Sequence, residues 1–275
     1  MAKNSNIEWT HHTFNPWWGC EKVSPACKHC YAQTWAKRCG KGDLWKAGSE
    51  RRFFTDRHWN DPLKWDQAAR TSGQRQRVFC ASMADVFELR DDLSETRERL
   101  WHLIERTTNL DWLLLTKRIE TVSDLVPWSP KDWPENVWLG TTVENQKYAD
   151  MRIPVLAKCG AKTKFLSCEP LLGKTSIKKW ASSIDWIIAG GESGANSRPM
   201  HPTWLRKLRD ECDQNNIPFH FKQWGNWFPI DSSSELNFKN KQIIHIDNVE
   251  MVNIGKKKAG RILDGQEWNG LPNVA

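Results

Sequence analysis

The stretch THHTFNPWWGC (residues 10–20) reads as an opening β-strand that runs directly into a cysteine. The turn after a first strand separates two common parallel architectures. A doubly wound sheet ordinarily turns there on a glycine-rich loop; this chain turns on cysteines. Six short apolar runs succeed it: RVFCAS (77–82), LDWLLLT (110–116), NVWLGTT (136–142), TKFLSCE (163–169), DWIIAGGE (185–192) and IPFHFKQ (217–223). Each is rich in β-branched or aromatic residues and lacks strict alternation, as strands covered on both faces do. Helix-like segments intervene, among them SETRERLWHLIERT (94–107), opening at Ser94 with Glu98 one turn on, and HPTWLRKLRDECDQN (201–215). This alternation predicts an α/β fold whose parallel sheet closes, fully or partly, into a (β/α) TIM-like barrel.

The alternation stops near Asp231. We expect the barrel over residues 1–230 and a C-terminal extension, packed on the barrel, over 231–275. Within it DSSSELNFKNKQ (231–242) is loop-like, and IIHIDNVEMVNIGKKKAGRILDG (243–265) reads as short strands with a basic turn. Of the 275 residues 39% are hydrophobic and 27% charged, which supplies a core and excludes a disordered chain. No apolar run approaches membrane-spanning length, and the first twenty residues lack an apolar signal core. The expectation is a cytoplasmic protein whose eight cysteines stay reduced. A net charge of +7 fits a polyanionic partner. Eighteen tryptophans serve core and rim packing, with a few available to stack on nucleobases.

In parallel α/β folds, ligands sit at the carboxyl ends of the strands. Those ends here carry Ser82-Met83-Ala84-Asp85, Thr116-Lys117-Arg118, Thr141-Thr142-Val143-Glu144-Asn145, Ser167-Cys168-Glu169, Gly190-Gly191-Glu192-Ser193-Gly194 and Lys222-Gln223-Trp224-Gly225. A single such end is readily a helix cap, where Ser and Asp belong. Six together describe a polar pocket with the carboxylates Asp85, Glu144, Glu169 and Glu192 and the cations Lys117 and Lys222. AGGESG (189–194) serves equally as a tight turn or as close backbone approach to a ligand; without a following Gly-Lys-Ser/Thr it is no phosphate loop.

Three thiols lie within residues 20–30. Cys27 and Cys30 occupy what reads as a helix start, with Ser24 as cap and Pro25 in the first turn, a spacing that puts both on one face. Cys20 precedes them on a loop able to fold back. Cys39 would lie roughly 13 Å further along such a helix and about half a turn around it, facing away. A structural zinc site commonly takes four protein ligands, so His11, His12 or His29 would have to join the three cysteines. Three thiolates on a cubane cluster instead leave one iron open to substrate or cofactor; such clusters are thiolate-ligated. We read Cys20, Cys27 and Cys30 as ligands of a 4Fe-4S cluster, with zinc as the alternative.

On these residues the chain resembles the radical S-adenosylmethionine superfamily, in which three cysteines follow the first strand of a (β/α) barrel. It is also similar to a phage- and prophage-associated family of three-cysteine-motif proteins, through TFNPWWGCEKVSPACKHCYA, LLLTKR, VWLGTTVEN, FLSCEPLLG, IIAGGESG, PFHFKQWG and GKKKAGRILDG, which span nearly all of residues 7–273. The chain departs from the superfamily's usual pattern in three respects. Cys20 and Cys27 are seven apart where four is usual. His29 precedes the last cysteine where an aromatic or apolar residue is usual. Gly190-Gly191-Glu192 follows a late strand, while the second strand ends in Ser82-Met83-Ala84-Asp85.

The resemblance implies S-adenosylmethionine on the open iron, an electron donor, and a deoxyadenosyl radical that takes hydrogen from a substrate. It implies Ser82 or Asp85 at the methionine amine and Thr142 with Glu144 at the ribose hydroxyls. Glu169, Glu192 and Lys222 remain for substrate and catalysis. Phage association and basic charge make a nucleic acid or nucleotide the expected substrate. The competing reading is a nucleic-acid-binding protein with a structural cluster or zinc, using the tryptophans and the group Lys256, Lys257, Lys258 and Arg261. A hydrolase ranks last, for want of a nucleophile–base pair.

Overall fold

Residues 5, 7–230, 238 and 240–272 are described by a computed structural model of the chain. In chain order the strands are β1 (His12–Phe14), β2 (Trp17–Trp18), β3 (Arg52–Phe53), β4 (Gln76–Cys80), β5 (Leu110–Thr116), β6 (Val137–Thr142), β7 (Thr163–Cys168), β8 (Trp186–Gly190), β9 (Phe219–Gln223), β10 (Trp227–Ile230), β11 (Ile243–Ile246) and β12 (Val249–Asn253). The α-helices are α1 (Tyr31–Arg38), α2 (Asp56–Trp59), α3 (Asp61–Ser72), α4 (Ser94–Arg106), α5 (Val122–Leu125), α6 (Gln146–Lys158), α7 (Pro202–Gln214) and α8 (Lys256–Ala259).

One seven-stranded sheet runs β1-β4-β5-β6-β7-β8-β9. The pairings of β1 with β4, β4 with β5, β5 with β6 and β8 with β9 are parallel. Strands adjacent in this sheet thus succeed one another along the chain, the topology of a partial TIM-like barrel; a doubly wound sheet reverses its order. Every residue of β6 and β8 is buried, which is why both read as unbroken apolar runs.

Two local expectations are corrected. The opening strand is only His12–Phe14, because Pro16 offers no N–H to a ladder. The chain resumes as β2, which pairs antiparallel with β3 in a separate ribbon, so Cys20 follows that ribbon. The helix expected from Ser24 also starts late. Pro25–Cys27 forms one 3₁₀ turn, a geometry that rarely runs longer, and α1 begins at Tyr31 with Cys30 as its N-cap. Cys27 and Cys30 therefore occupy a turn and a cap, not one helix face. The Ser24 hydroxyl makes no capping bond and lies 3.8 Å from the sulfur of Cys27.

The chain divides into two compact units, Met1–Thr141 with Pro154–Phe165, and Thr142–Ile153 with Leu166–Ala275. In the first, Phe14 is fully buried, with the rings of Trp59 and Trp112 edge-on at 5.2 and 5.7 Å. α4 turns Leu100, Leu103 and Ile104 inward at helical spacing. Its buried Arg97 donates to the carbonyls of Val86 and Glu88 at 2.9 and 2.6 Å, fixing the loop after β4.

In the second unit α7 buries Leu205, Leu208 and Cys212, and Trp186 donates to the carbonyl of Gly270 at 2.8 Å. The same unit holds the antiparallel sheet β10-β12-β11, whose first strand precedes residue 231. Residues 231–237, the start of the expected extension, lie outside the described residues. Lys256, Lys257 and Lys258 form the single exposed turn α8, whereas Arg261 turns in to the carbonyl of Phe221. No helix among the described residues is long and apolar enough to cross a membrane.

Candidate functional site

The cysteine loop lies wholly in the first unit and is anchored just before its first thiol. Gly19 donates to the carbonyl of Met83 at 3.0 Å and has φ +114°. A Cβ there would meet Arg51 Cδ and the Leu44 carbonyl oxygen, each at 2.8 Å. Only glycine fits both the conformation and the space. Cys20 and Cys30 then pack against a small core of Ala32, Ala36, Trp45 and Met83. Burial pushes the Cys20 thiol up to about 12, with Asp85 adding to the effect and Arg118 opposing it. Burial likewise raises Cys30. Cys39 is exposed at the far end of α1.

A charged network closes on Cys20. Arg118 Nη1 donates to the Cys20 sulfur at 3.4 Å and to Asp85 Oδ2 at 3.3 Å, while Nη2 donates to the Glu21 carbonyl at 2.8 Å. Asp85 further accepts from the Thr116 hydroxyl at 2.8 Å, Lys117 N at 3.0 Å and Phe87 N at 3.1 Å. Glu88 takes Arg51 at 2.6 and 3.2 Å and Glu21 N at 3.1 Å. Arg51, Asp85, Glu88 and Arg118 are all buried, so two carboxylates face two guanidiniums out of water. Asp85, expected at the methionine amine, has its lone pairs filled by these four donors. It acts through Arg118, a residue that stands out less in the sequence than its neighbour Lys117. Ser82 sits beside the loop: Asn15 Nδ2 donates to its hydroxyl at 3.1 Å, and the Tyr31 hydroxyl donates to its carbonyl at 2.7 Å.

The second unit gathers the later strand ends into distinct groups. Glu144 is fully buried, and Arg152 donates to its Oε2 and to the Thr142 carbonyl, both at 2.8 Å. Glu144 Oε1, the Thr142 hydroxyl and Gln223 Oε1 are buried without a hydrogen-bond partner. Atoms so placed cost about 1–3 kcal/mol each unless a ligand or water engages them. Lys222 Nζ lies 2.9 Å from Glu169, whose Oε1 also accepts from Gln223 Nε2 at 3.1 Å. Glu192 is held elsewhere, by the backbone N–H of Arg198 at 2.8 Å and its Nε at 2.9 Å. Of the three residues expected at the substrate, the structure joins Glu169 and Lys222 and gives Glu192 to Arg198. Gln223 stood in a quoted strand end, whereas Arg152, inside α6, and Arg198 carry no motif. Gly191 donates to the Gln223 carbonyl at 2.8 Å, and any Cβ on it would strike the Trp224 backbone. Gly191 of AGGESG thus lets two strand-end loops pack closely.

His11 and His12, two of the three histidines named as possible zinc ligands, each have a hydrogen-bond partner. His11 Nδ1 accepts from Arg77 N at 2.8 Å; His12 stacks on Trp65 at 4.3 Å and shares a 2.6 Å hydrogen bond with Gln76. Among the described residues no group of three or more His, Cys, Asp or Glu side chains is placed to hold a metal ion.

A family model described as Protein of unknown function (DUF5131) matches residues 4–272. No curated protein sequence matches the chain. Among solved structures, the chain is similar to a cysteine-to-serine mutant of spore photoproduct lyase, with TM-score 0.48 and 12% identity over 93% of this chain and 72% of that one. A cysteine-to-alanine mutant of that lyase with dinucleoside spore photoproduct gives 0.49 and 12% over 93% and 71%. A double mutant with bound AdoMet and the same dinucleoside gives 0.47 and 13% over 89% and 68%. Likeness at these scores carries no weight for function.

Proposed function

The chain belongs to the DUF5131 family, and for it we propose the activity of a radical S-adenosylmethionine enzyme acting on a nucleotide or nucleic acid. One observation carries the reading. Three free thiols lie within one short loop, and a buried guanidinium donates to the first of them. Cys20, Cys27 and Cys30 would hold a 4Fe-4S cluster with one iron left for S-adenosylmethionine. Bound there and given one electron by an external donor, the cofactor pair supplies a deoxyadenosyl radical.

The chain's own residues bind, orient and exclude water. Gly19 delivers Cys20 to its place, and Trp45 and Met83 cover the thiols on one side. Arg118, fixed by Asp85, offsets thiolate charge at Cys20. Ser82 is assigned to the methionine amine. In the second unit, the unpartnered atoms Thr142 Oγ1 and Glu144 Oε1 are assigned to ribose hydroxyls. Glu169, polarised by Lys222, is assigned to substrate, with Gln223 Oε1 as a further acceptor. Glu192 shapes its loop through Arg198.

The test is cofactor cleavage. Protein loaded with iron and sulfide without oxygen, reduced with dithionite and given S-adenosylmethionine, should release 5′-deoxyadenosine. A fully loaded protein that yields none with any reductant overturns the enzymatic reading and leaves a structural cluster.

A further inference from the structure

α1 presents an outer face of large, exposed side chains. Its inner face is Ala32 and Ala36, buried in the small core beneath the cysteine loop. Tyr31, Trp35 and Arg38 recur at i, i+4 and i+7 and so share one side of the helix, turned roughly 110° from the alanines. Tyr31 is 55% exposed and Trp35 54%, which for two large aromatic rings one turn apart is far from core placement. Tyr31 is held in place by its hydroxyl, which donates to the Ser82 carbonyl at 2.7 Å. Nearby in the chain, Phe53 of β3 is 45% exposed, and Arg52 lies over Trp18, a ring that packs on the same small core.

The charge around this helix is one-sided. Residues 22–46 carry Lys22, Lys28, Lys37, Arg38, Lys41 and Lys46, all exposed, against one acidic residue, Asp43. Asp43 pairs with Lys37 at 3.1 Å, and among the described residues Lys28, Arg38, Lys41 and Lys46 make no ion pair. Six cations against one carboxylate give this segment a net +5, where the whole chain carries +7. The protein's positive charge is thus concentrated around two displayed rings.

We propose that the outer face of α1, through Tyr31, Trp35 and Arg38 with the flanking lysines, binds single-stranded nucleic acid. Aromatic faces within a basic surface stack on bases without regard to sequence, while cations follow the phosphates. A duplex keeps its bases stacked inside and gives the two rings nothing to stack on, so the strand is single. The proposal needs only the fold of the first unit and stands whether or not the cysteines carry a cluster.

The experiment is fluorescence anisotropy of labelled oligothymidine and of a matched duplex, at low and moderate salt, with the full chain. The wild type should bind the single strand at least tenfold more tightly than the duplex. Trp35→Ala and Tyr31→Ala should each weaken binding about tenfold, whereas Trp35→Phe and Tyr31→Phe, which keep a ring, should stay close to wild type. Arg38→Ala should lower the log–log salt slope by roughly 0.7. These are exposed positions, and circular dichroism checks that each variant folds. No binding at low salt, equal binding of duplex and single strand, or alanine variants that bind like the wild type would each overturn the proposal. Iron content, measured on the same preparations, reports on the cluster independently of these outcomes.

Discussion

Arg118 donates to the sulfur of Cys20 at 3.4 Å from a guanidinium that Asp85 holds at 3.3 Å. A buried cation beside a half-buried thiol fits a sulfur that bears charge when ligated. Asp85 and Glu88 keep that cation in place and neutralise it when the thiol is protonated.

Arg118→Ala should therefore be costly in two measurements. It strands Asp85, 5% exposed, with no cationic partner, and breaking such a buried pair costs about 3–5 kcal/mol. Urea unfolding should show that loss, and loaded protein should retain less than half of the wild-type iron. Arg118→Lys should recover part of both, because it restores charge without the two-pronged geometry. An alanine variant with wild-type stability and iron would remove Arg118 from the account.

Gly19→Ala tests the delivery of Cys20. A residue with a Cβ at φ +114° is strained by roughly 1–2 kcal/mol, and here the added carbon also meets Arg51 and Leu44 at 2.8 Å. We expect normal helix content by circular dichroism with severely reduced iron uptake. Unchanged uptake would mean the loop reaches its place without this anchor.

The fold was legible because its strands are covered on both faces: LDWLLLT became β5 residue for residue, and NVWLGTT became β6 less its first residue. What escaped were features decided by tertiary contacts. Nothing local says that the chain resumes after Pro16 in a ribbon with β3, or that it leaves helical geometry between Cys27 and Cys30. The cysteines stood out by spacing, and Glu169 and Lys222 by their places at strand ends. Arg118 and Arg152 did not stand out, since an arginine's role depends on which buried carboxylate it reaches. Asp85 was found for its position, yet its neighbours give it a different task.

Thiol chemistry separates the eight cysteines. Cys80, Cys168 and Cys212 are buried, and burial raises the pKa of each, Cys168 to about 12. At pH 8 they stay protonated and covered. Iodoacetamide followed by mass spectrometry should label Cys39 first and these three only after denaturation. A pKa raised in the fold stabilises below the ordinary thiol value near 9 and is lost as pH climbs toward about 12, so unfolding should become easier across that alkaline window. Rapid labelling of Cys168 in the native protein, or stability flat to the alkaline limit, would contradict the burial described.

Thr142→Val tests the ribose assignment. The hydroxyl it removes is buried and unpartnered, so the ligand-free protein should lose no stability and unfold at the same or a higher urea concentration. S-adenosylmethionine should bind about tenfold more weakly, since a hydrogen bond worth roughly 1.5 kcal/mol goes with it. Unaltered cofactor affinity would send the ribose elsewhere.

The central claim is that Cys20, Cys27 and Cys30 hold an iron–sulfur cluster. It is tested most directly by iron and sulfide analysis, with electron paramagnetic resonance, on protein purified without oxygen. The wild type should be brown, contain iron and sulfide in equal amounts, and become paramagnetic on one-electron reduction. Cys20→Ala, Cys27→Ala and Cys30→Ala should each lose most of the iron, and Cys39→Ala should keep it. Stoichiometric zinc without iron, or iron that survives all three loop substitutions, would contradict the account.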